Sequence, residues 1–227
     1  MPRKIILVEL NEVPFTVYDR FVVQAPASAV AKVFARSRHY VTVAAEAHQL
    51  DPWITWPTFH RGVNDERHGI YHLGQNLEQA DRDYPPVWRI LHDAGRSVGV
   101  FGSLHSSHTP EDIDRYAFYL PDVFAEHTAV HPRSLAAFQE FNLAMTRASA
   151  RNVDRHIPAR EAAAFLRDLP RLGVRPATLR AIAGQLAGEA RHRERKTRRR
   201  AIQTLLMADV FLKLLRGTRP EFATFYS

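Results

Sequence analysis

The 227-residue chain has no cysteine, which excludes disulfides and thiolate metal ligands and removes one sign of secretion. No apolar run approaches the roughly 18 residues that a membrane-spanning helix needs. Met1-Pro2-Arg3-Lys4 followed by Ile5-Ile6-Leu7-Val8 begins like a signal peptide, but the apolar run stops at Glu9 and no small-residue cleavage site follows. Internal repeats and low-complexity linkers are also missing. These absences lead to the expectation of a soluble, cytoplasmic protein forming a single domain over residues 1–227.

What is present is mixed in charge and rich enough in apolar residues, at 45%, to bury a core. The net charge of +7 would favour nucleic acid or an anionic surface only if it were focused. Arg191 to Arg200 (RHRERKTRRR) is the one dense cluster, with seven Lys or Arg residues. It has no interleaved aromatics on which bases would stack, so a solvated helix face is the favoured reading over a phosphate-binding one. A binding protein that uses this basic helix on nucleic acid or anionic surfaces is the alternative to an enzyme.

Lys4 to Leu10 is a continuous apolar run of the kind found in parallel strands buried on both faces. Pro14 suits a helix entry leading to Thr16–Val23, and Ser28 suits the cap of a helix reaching Arg36. Tyr40 to Ala45 (YVTVAA) reads as a second strand. Val87, Ile90, Leu91 and Ala94 recur at helical spacing between Pro86 and Gly95, and Ser97 to Gly102 then reads as a short buried strand. A last strand is expected over Glu221–Tyr226. Pro132–Ala150, Ala159–Leu169 and Pro176–Leu215 have helical periodicity, the last with a break, and Pro170 and Gly173 separate two of them. The order implies an α/β layered fold: a parallel-type sheet, flanking helices, and a helical cap or insertion over residues 132–216.

Asp51 to Gly69 (DPWITWPTFHRGVNDERHG) concentrates two prolines, two tryptophans, two threonines, two histidines and two glycines. Active sites of α/β folds lie in loops at the carboxyl ends of strands. Thr55 follows the expected second strand and precedes Pro57 by two residues, which would place its hydroxyl in a first helical turn, facing unpaired N–H groups that favour phosphate. From the residues alone, a structural turn with a capping threonine is the favoured reading of the segment.

Thr55-Trp56-Pro57-Thr58, Gly62 and His68-Gly69-Ile70 resemble the nucleophile segment of the alkaline phosphatase superfamily, in its type I phosphodiesterase/nucleotide pyrophosphatase branch. The helix–strand unit Pro86–Gly102 also resembles the unit that follows that segment, whereas the helical middle matches loosely. The resemblance implies a two-metal zinc site and a threonine nucleophile, which falls on Thr55, with Thr58 toward substrate. A metal-bound hydroxyl loses its proton near neutral pH and attacks phosphorus. The acidic ligand of the family falls on Asn11, which offers a neutral oxygen, with Glu12 beside it. Asn11, Glu12 and Thr55 are thus the implied metal ligands, and Glu9, alternating onto the other side of the strand, is the poorest candidate. His68 is expected to shape a turn, and His60 to be a packing or surface residue. His105 and His108 have ligand-like spacing but no nearby carboxylate in sequence, and Asp51 suits a cap.

The remaining metal ligands of that family, including an Asp-His-Gly element, have no counterpart in residues 1–227. The expectation is therefore a chain corresponding to the N-terminal portion of such a hydrolase, incomplete at the C-terminus, with weak or no activity alone. A partner chain or a missing C-terminal half would complete it. The substrate class stays open among phosphodiesters, nucleotides, lipid head groups and phosphonates. A non-catalytic scaffold is the further alternative, and the sulfatase branch is disfavoured by the lack of cysteine.

Overall fold

The computed structural model describes residues 4–44, 49–150, 159–192 and 200–227. Four strands, β1 (Ile5–Glu9), β2 (Val98–Phe101), β3 (Phe118–Leu120) and β4 (Phe222–Tyr226), form one parallel sheet in the order β1-β4-β2-β3. The α/β class read from the sequence is the class observed. The strand nearest the end of the chain lies inside the sheet, between β1 and β2.

Alternation along the strands divides the core into two layers. On one face, Phe101, Phe118, Leu120, Ala223 and Phe225 pack against Phe138 of α7 (Ala136–Ala150), Phe165 of α8 (Ala159–Leu172), and Val210 and Phe211 of α10 (Arg200–Thr218). The helical region after Pro132 thus supplies the layer on this side of the sheet. On the other face, Val98, Val100, Tyr119 and Phe222 surround Trp88 of α6 (Val87–Asp93). Gly99 has no side chain because the Phe118 ring fills that space: a Cβ there would lie 2.2 Å from the ring. Among the described residues, no helix is long and apolar enough to cross a membrane.

Several local expectations hold. Ser28 caps α2 (Ala29–Phe34), its hydroxyl accepting from Ala31 N at 3.1 Å. Pro14 precedes α1 (Phe15–Gln24), and Pro86 precedes α6, which Gly95 follows with a positive φ of 73°. Others need correction. Tyr40–Ala44 form no strand: Tyr40, Val41 and Val43 are exposed, and β-branched residues make a strand only where a sheet edge receives them. Ala45 lies outside the described residues. Pro170 does not separate two helices but lies within α8, which ends before Gly173. β3, three residues long, is not among the expected strands, although the apolar run Tyr116–Leu120 (YAFYL) contains it.

The reading of β1 as a strand buried on both faces is also overturned. It is an edge strand, with Ile5 58%, Ile6 48% and Val8 55% exposed. An apolar run records what a strand is suited to, whereas burial depends on which neighbours cover it. The expected break in Pro176–Leu215 falls between α9 (Pro176–Arg191) and α10. Most of the basic cluster, residues 193–199, lies outside the described residues.

Candidate active site at the carboxyl ends of the strands

Because the sheet is parallel, its carboxyl ends gather the segments after β1, β2 and β3 along one rim. Asn11 N donates to Ser227 O (3.1 Å) and Ser227 N to Glu9 O (2.9 Å), which extends the β1–β4 ladder into this rim. Glu12 then turns the chain with a left-handed φ of 54° and is exposed. His105, in the segment after β2, has φ 62°. Such values are uncommon for residues with a side chain and concentrate at functional loops.

The segment that holds Thr55 is helical from Pro52 onward. Asp51 occupies the cap position of α3 (Pro52–Arg61), Pro52 the first helical position, and Gly62 ends the helix in the left-handed conformation. This start lies about a turn earlier than Pro57 alone would place it. Consequently Thr55 N is already bonded to Asp51 O (3.0 Å), and Thr55 Oγ1 donates to the same carbonyl at 3.2 Å. The expectation of a hydroxyl facing unpaired N–H groups is thereby overturned.

Trp56, the next residue, donates from Nε1 to Asn11 Oδ1 at 3.1 Å and meets the Tyr226 ring edge-on at 5.6 Å. The loop after β1 is therefore tied to the residue beside Thr55. Thr58 and His68 form a second tie. His68 Nδ1 accepts from Ile70 N (3.0 Å), so its proton resides on Nε2, which donates to Thr58 Oγ1 (3.1 Å). Thr58 can in turn donate to Ile54 O (3.3 Å). His68 shapes the turn that Gly69 closes at φ 64°, as expected.

The sequence did not point to the buried polar group beneath α3. Glu9, the poorest ligand candidate, is 1% exposed and accepts from Ser103 Oγ at 3.0 Å. Its other oxygen lies 3.3 Å from His60 Nε2. Ser103 Oγ is also 2.6 Å from Thr224 Oγ1. His60 is a packing residue as well, lying 5.7 Å from the Trp56 ring and 4.8 Å from Trp88 between centroids. The helical interval from Trp56 to His60 places both on one face of α3, toward Asn11 and Glu9. The one available signal was the lone acid ending an apolar strand; its partners are distant in sequence.

His105 and His108 do not converge. His105 Nε2 donates to Trp53 O (2.8 Å), and burial pushes its pKa down to about 4, so the imidazole is neutral at pH 7. His108 pairs instead with Asp81, which also binds Arg61 at 2.6 Å. Both histidines line a cleft of about 380 Å³ with Trp88, Arg89, Tyr116 and Tyr119. Past β3, Asp122 accepts from Ser107 N (3.1 Å) and Phe124 N (2.8 Å), yet burial raises its pKa to about 6.

The implied zinc ligands are Asn11, Glu12 and Thr55. Asn11 Oδ1 is neutral and already accepts from Trp56, Thr55 Oγ1 is turned toward Asp51 O, and Glu12 is the single carboxylate of the three. Zinc takes four ligands, or three protein ligands and a water. Among the described residues, no group of three or more His, Asp or Glu side chains is arranged to hold a metal ion. Compared with protein-family models, curated proteins and solved structures, the chain has no significant match in any of the three.

Proposed function

We propose that the chain carries the nucleophile-bearing part of a phosphoric-ester hydrolase, with Thr55 as nucleophile, Thr58 toward substrate, and Asn11 and Glu12 at the ligand position. The observation that carries this reading is the contact of Trp56 with Asn11 (3.1 Å), between residues 45 apart in sequence. The resemblance assigns nucleophile and ligand roles to two segments, and this contact makes them neighbours on the carboxyl rim of a parallel sheet, where α/β enzymes hold their sites.

A zinc ion bound there would lower the pKa of the Thr55 hydroxyl. This chain's own residues contribute the hydroxyl, one neutral oxygen and one carboxylate, which fall short of a closed site. Thr55 would also have to turn its hydroxyl away from Asp51 O, a χ1 rotation that exchanges one hydrogen bond for the ligand. Turnover by residues 1–227 alone is accordingly weak or nil.

The test is zinc-dependent hydrolysis of bis(p-nitrophenyl) phosphate by the purified chain and by Asn11→Asp, which keeps the acceptor for Trp56 and adds the missing charge. The expected result is negligible turnover by the native sequence and a gain of about tenfold or more in Asn11→Asp, about 1.4 kcal/mol of transition-state stabilisation. Thr55→Ala should abolish that gain. Hydrolysis indifferent to Thr55→Ala would overturn the reading of Thr55, and brisk zinc-dependent turnover by the native chain would overturn the statement that the site is incomplete.

A further inference from the structure

The cleft of about 380 Å³ lies on the Trp88 side of the sheet, walled by α5 (Glu78–Asp83), α6, the segment after β2, and β3. Tyr116 lines it and is 2% exposed. Its ring is held in place: His92 stacks on it at 4.1 Å and Tyr119 meets it edge-on at 5.1 Å. The hydroxyl is buried, and nothing accepts its proton. The Arg89 guanidinium beside it carries donors alone and cannot take that proton. Burial pushes the pKa of the phenol up to about 12, so it remains a donor at pH 7. Buried donors are rarely left without an acceptor, and one that lines a cleft marks where an entering ligand can supply it.

The charges around the cleft cancel except for one. Asp81 is held by Arg61 and His108, and Arg89 by Asp93 and Asp112. His105, its pKa lowered to about 4, adds no charge at pH 7. Arg82, exposed on α5, has no carboxylate partner among the described residues. Pro85, Pro110 and the rings of Trp88 and Tyr119 supply flat apolar walls between these groups.

We propose that this cleft binds a small aromatic monocarboxylate, its ring against the proline and aromatic walls and its carboxylate drawn by Arg82 onto the Tyr116 hydroxyl. The hydroxyl oxygen is sealed from solvent while the cleft is empty. The carboxylate reaches it as the flexible Arg89 side chain, 36% exposed, gives way. A phosphate group, with about two charges, would face Asp81 and Asp93 with a single free cation to offset them. A neutral ring would leave Arg82 unmatched, and a cation would be repelled by it. A trapped water could take the phenol's proton but would use neither Arg82 nor the walls. The proposal does not depend on the phosphoester reading, because none of Asn11, Glu12, Thr55 and Thr58 lines the cleft.

The test is a titration of the purified, isotope-labelled chain with benzoate at pH 7, followed by amide NMR, with methyl benzoate and inorganic phosphate as controls. Benzoate should give saturable shifts around Tyr116 and Arg82, with a Kd below about 1 mM. Tyr116→Phe keeps the ring and should weaken binding about fivefold or more, while leaving Tm unchanged or higher. Arg82→Gln, a change at an exposed position, should weaken it by about threefold or more. Absence of saturable binding, equal binding by either variant, or methyl benzoate or phosphate binding as tightly as benzoate would each overturn the proposal. A lowered Tm in Tyr116→Phe would do so too, since the hydroxyl would then already have an acceptor, such as a trapped water.

Discussion

Phe101 of β2 and Ile6 of β1 belong to the same parallel sheet, yet Phe101 is fully buried among Phe138, Phe211 and Phe225, whereas Ile6 is 48% exposed. Both lie in short apolar runs that read alike in sequence. The difference arises from α7, α8 and α10, which cover β2, β3 and β4 on that face and leave β1 bare. Stability in this molecule should therefore be concentrated on the β2–β3 side. The candidate chemistry borrows the least supported strand, since Asn11 follows β1 and holds Trp56.

The largest effect should come from breaking the covered side. Phe101→Ala is expected to cost about 3–5 kcal/mol in urea unfolding, by lost burial and a residual cavity. Ile6→Ala should cost far less, within about 0.5 kcal/mol, as for surface positions. Equal costs would mean that β1 is covered in solution.

The next effect is a pH dependence that arises just past β3. The folded pKa of Asp122, about 6, lies above its ordinary 3.8, so the fold favours the protonated form. The contribution is fully present below the ordinary value and is lost as pH rises through about 6. Asp122→Asn removes this loss, so the stability difference between variant and native chain should grow from pH 4 to pH 7, by about 2 kcal/mol in favour of the variant. A difference independent of pH would show that Asp122 is not desolvated.

The smallest effect concerns the open edge. Val8→Lys should alter stability by no more than about 0.5 kcal/mol while lowering the binding of a hydrophobic dye such as ANS. Unchanged dye binding would locate the accessible apolar surface elsewhere, for instance on Tyr40, Val41 and Val43.

How much was legible follows from where each signal resides. The class, α6, β2 and β4 were readable because Pro86, the apolar spacing and Gly95 punctuate a helix, and SVGVFG and EFATFY are short and apolar. Position within the sheet was not readable: Lys4–Leu10 has the composition of a central strand, and only long-range pairing reveals it as an edge. The resemblance alone puts Thr55 and Asn11 at one site, and the Trp56 hydrogen bond that joins their segments depends on tertiary packing. Two prolines compete as the entry to α3: Pro52 occupies the first helical position, and Pro57, which fits the same rule, lies inside the helix. The Glu9–His60–Ser103 group escaped notice because its members come from β1, α3 and the segment after β2, with no shared motif.

Amide hydrogen exchange on the isolated chain tests the contrast between the two sides most directly. The amides of Ile6 and Val8 should exchange about a hundredfold or more faster than those of Leu7, bonded to β4, and of Phe101 in the core, because local openings there need break no sheet hydrogen bond. Protection at Ile6 and Val8 equal to that of Leu7 would contradict the account, since their N–H groups would then already have a partner.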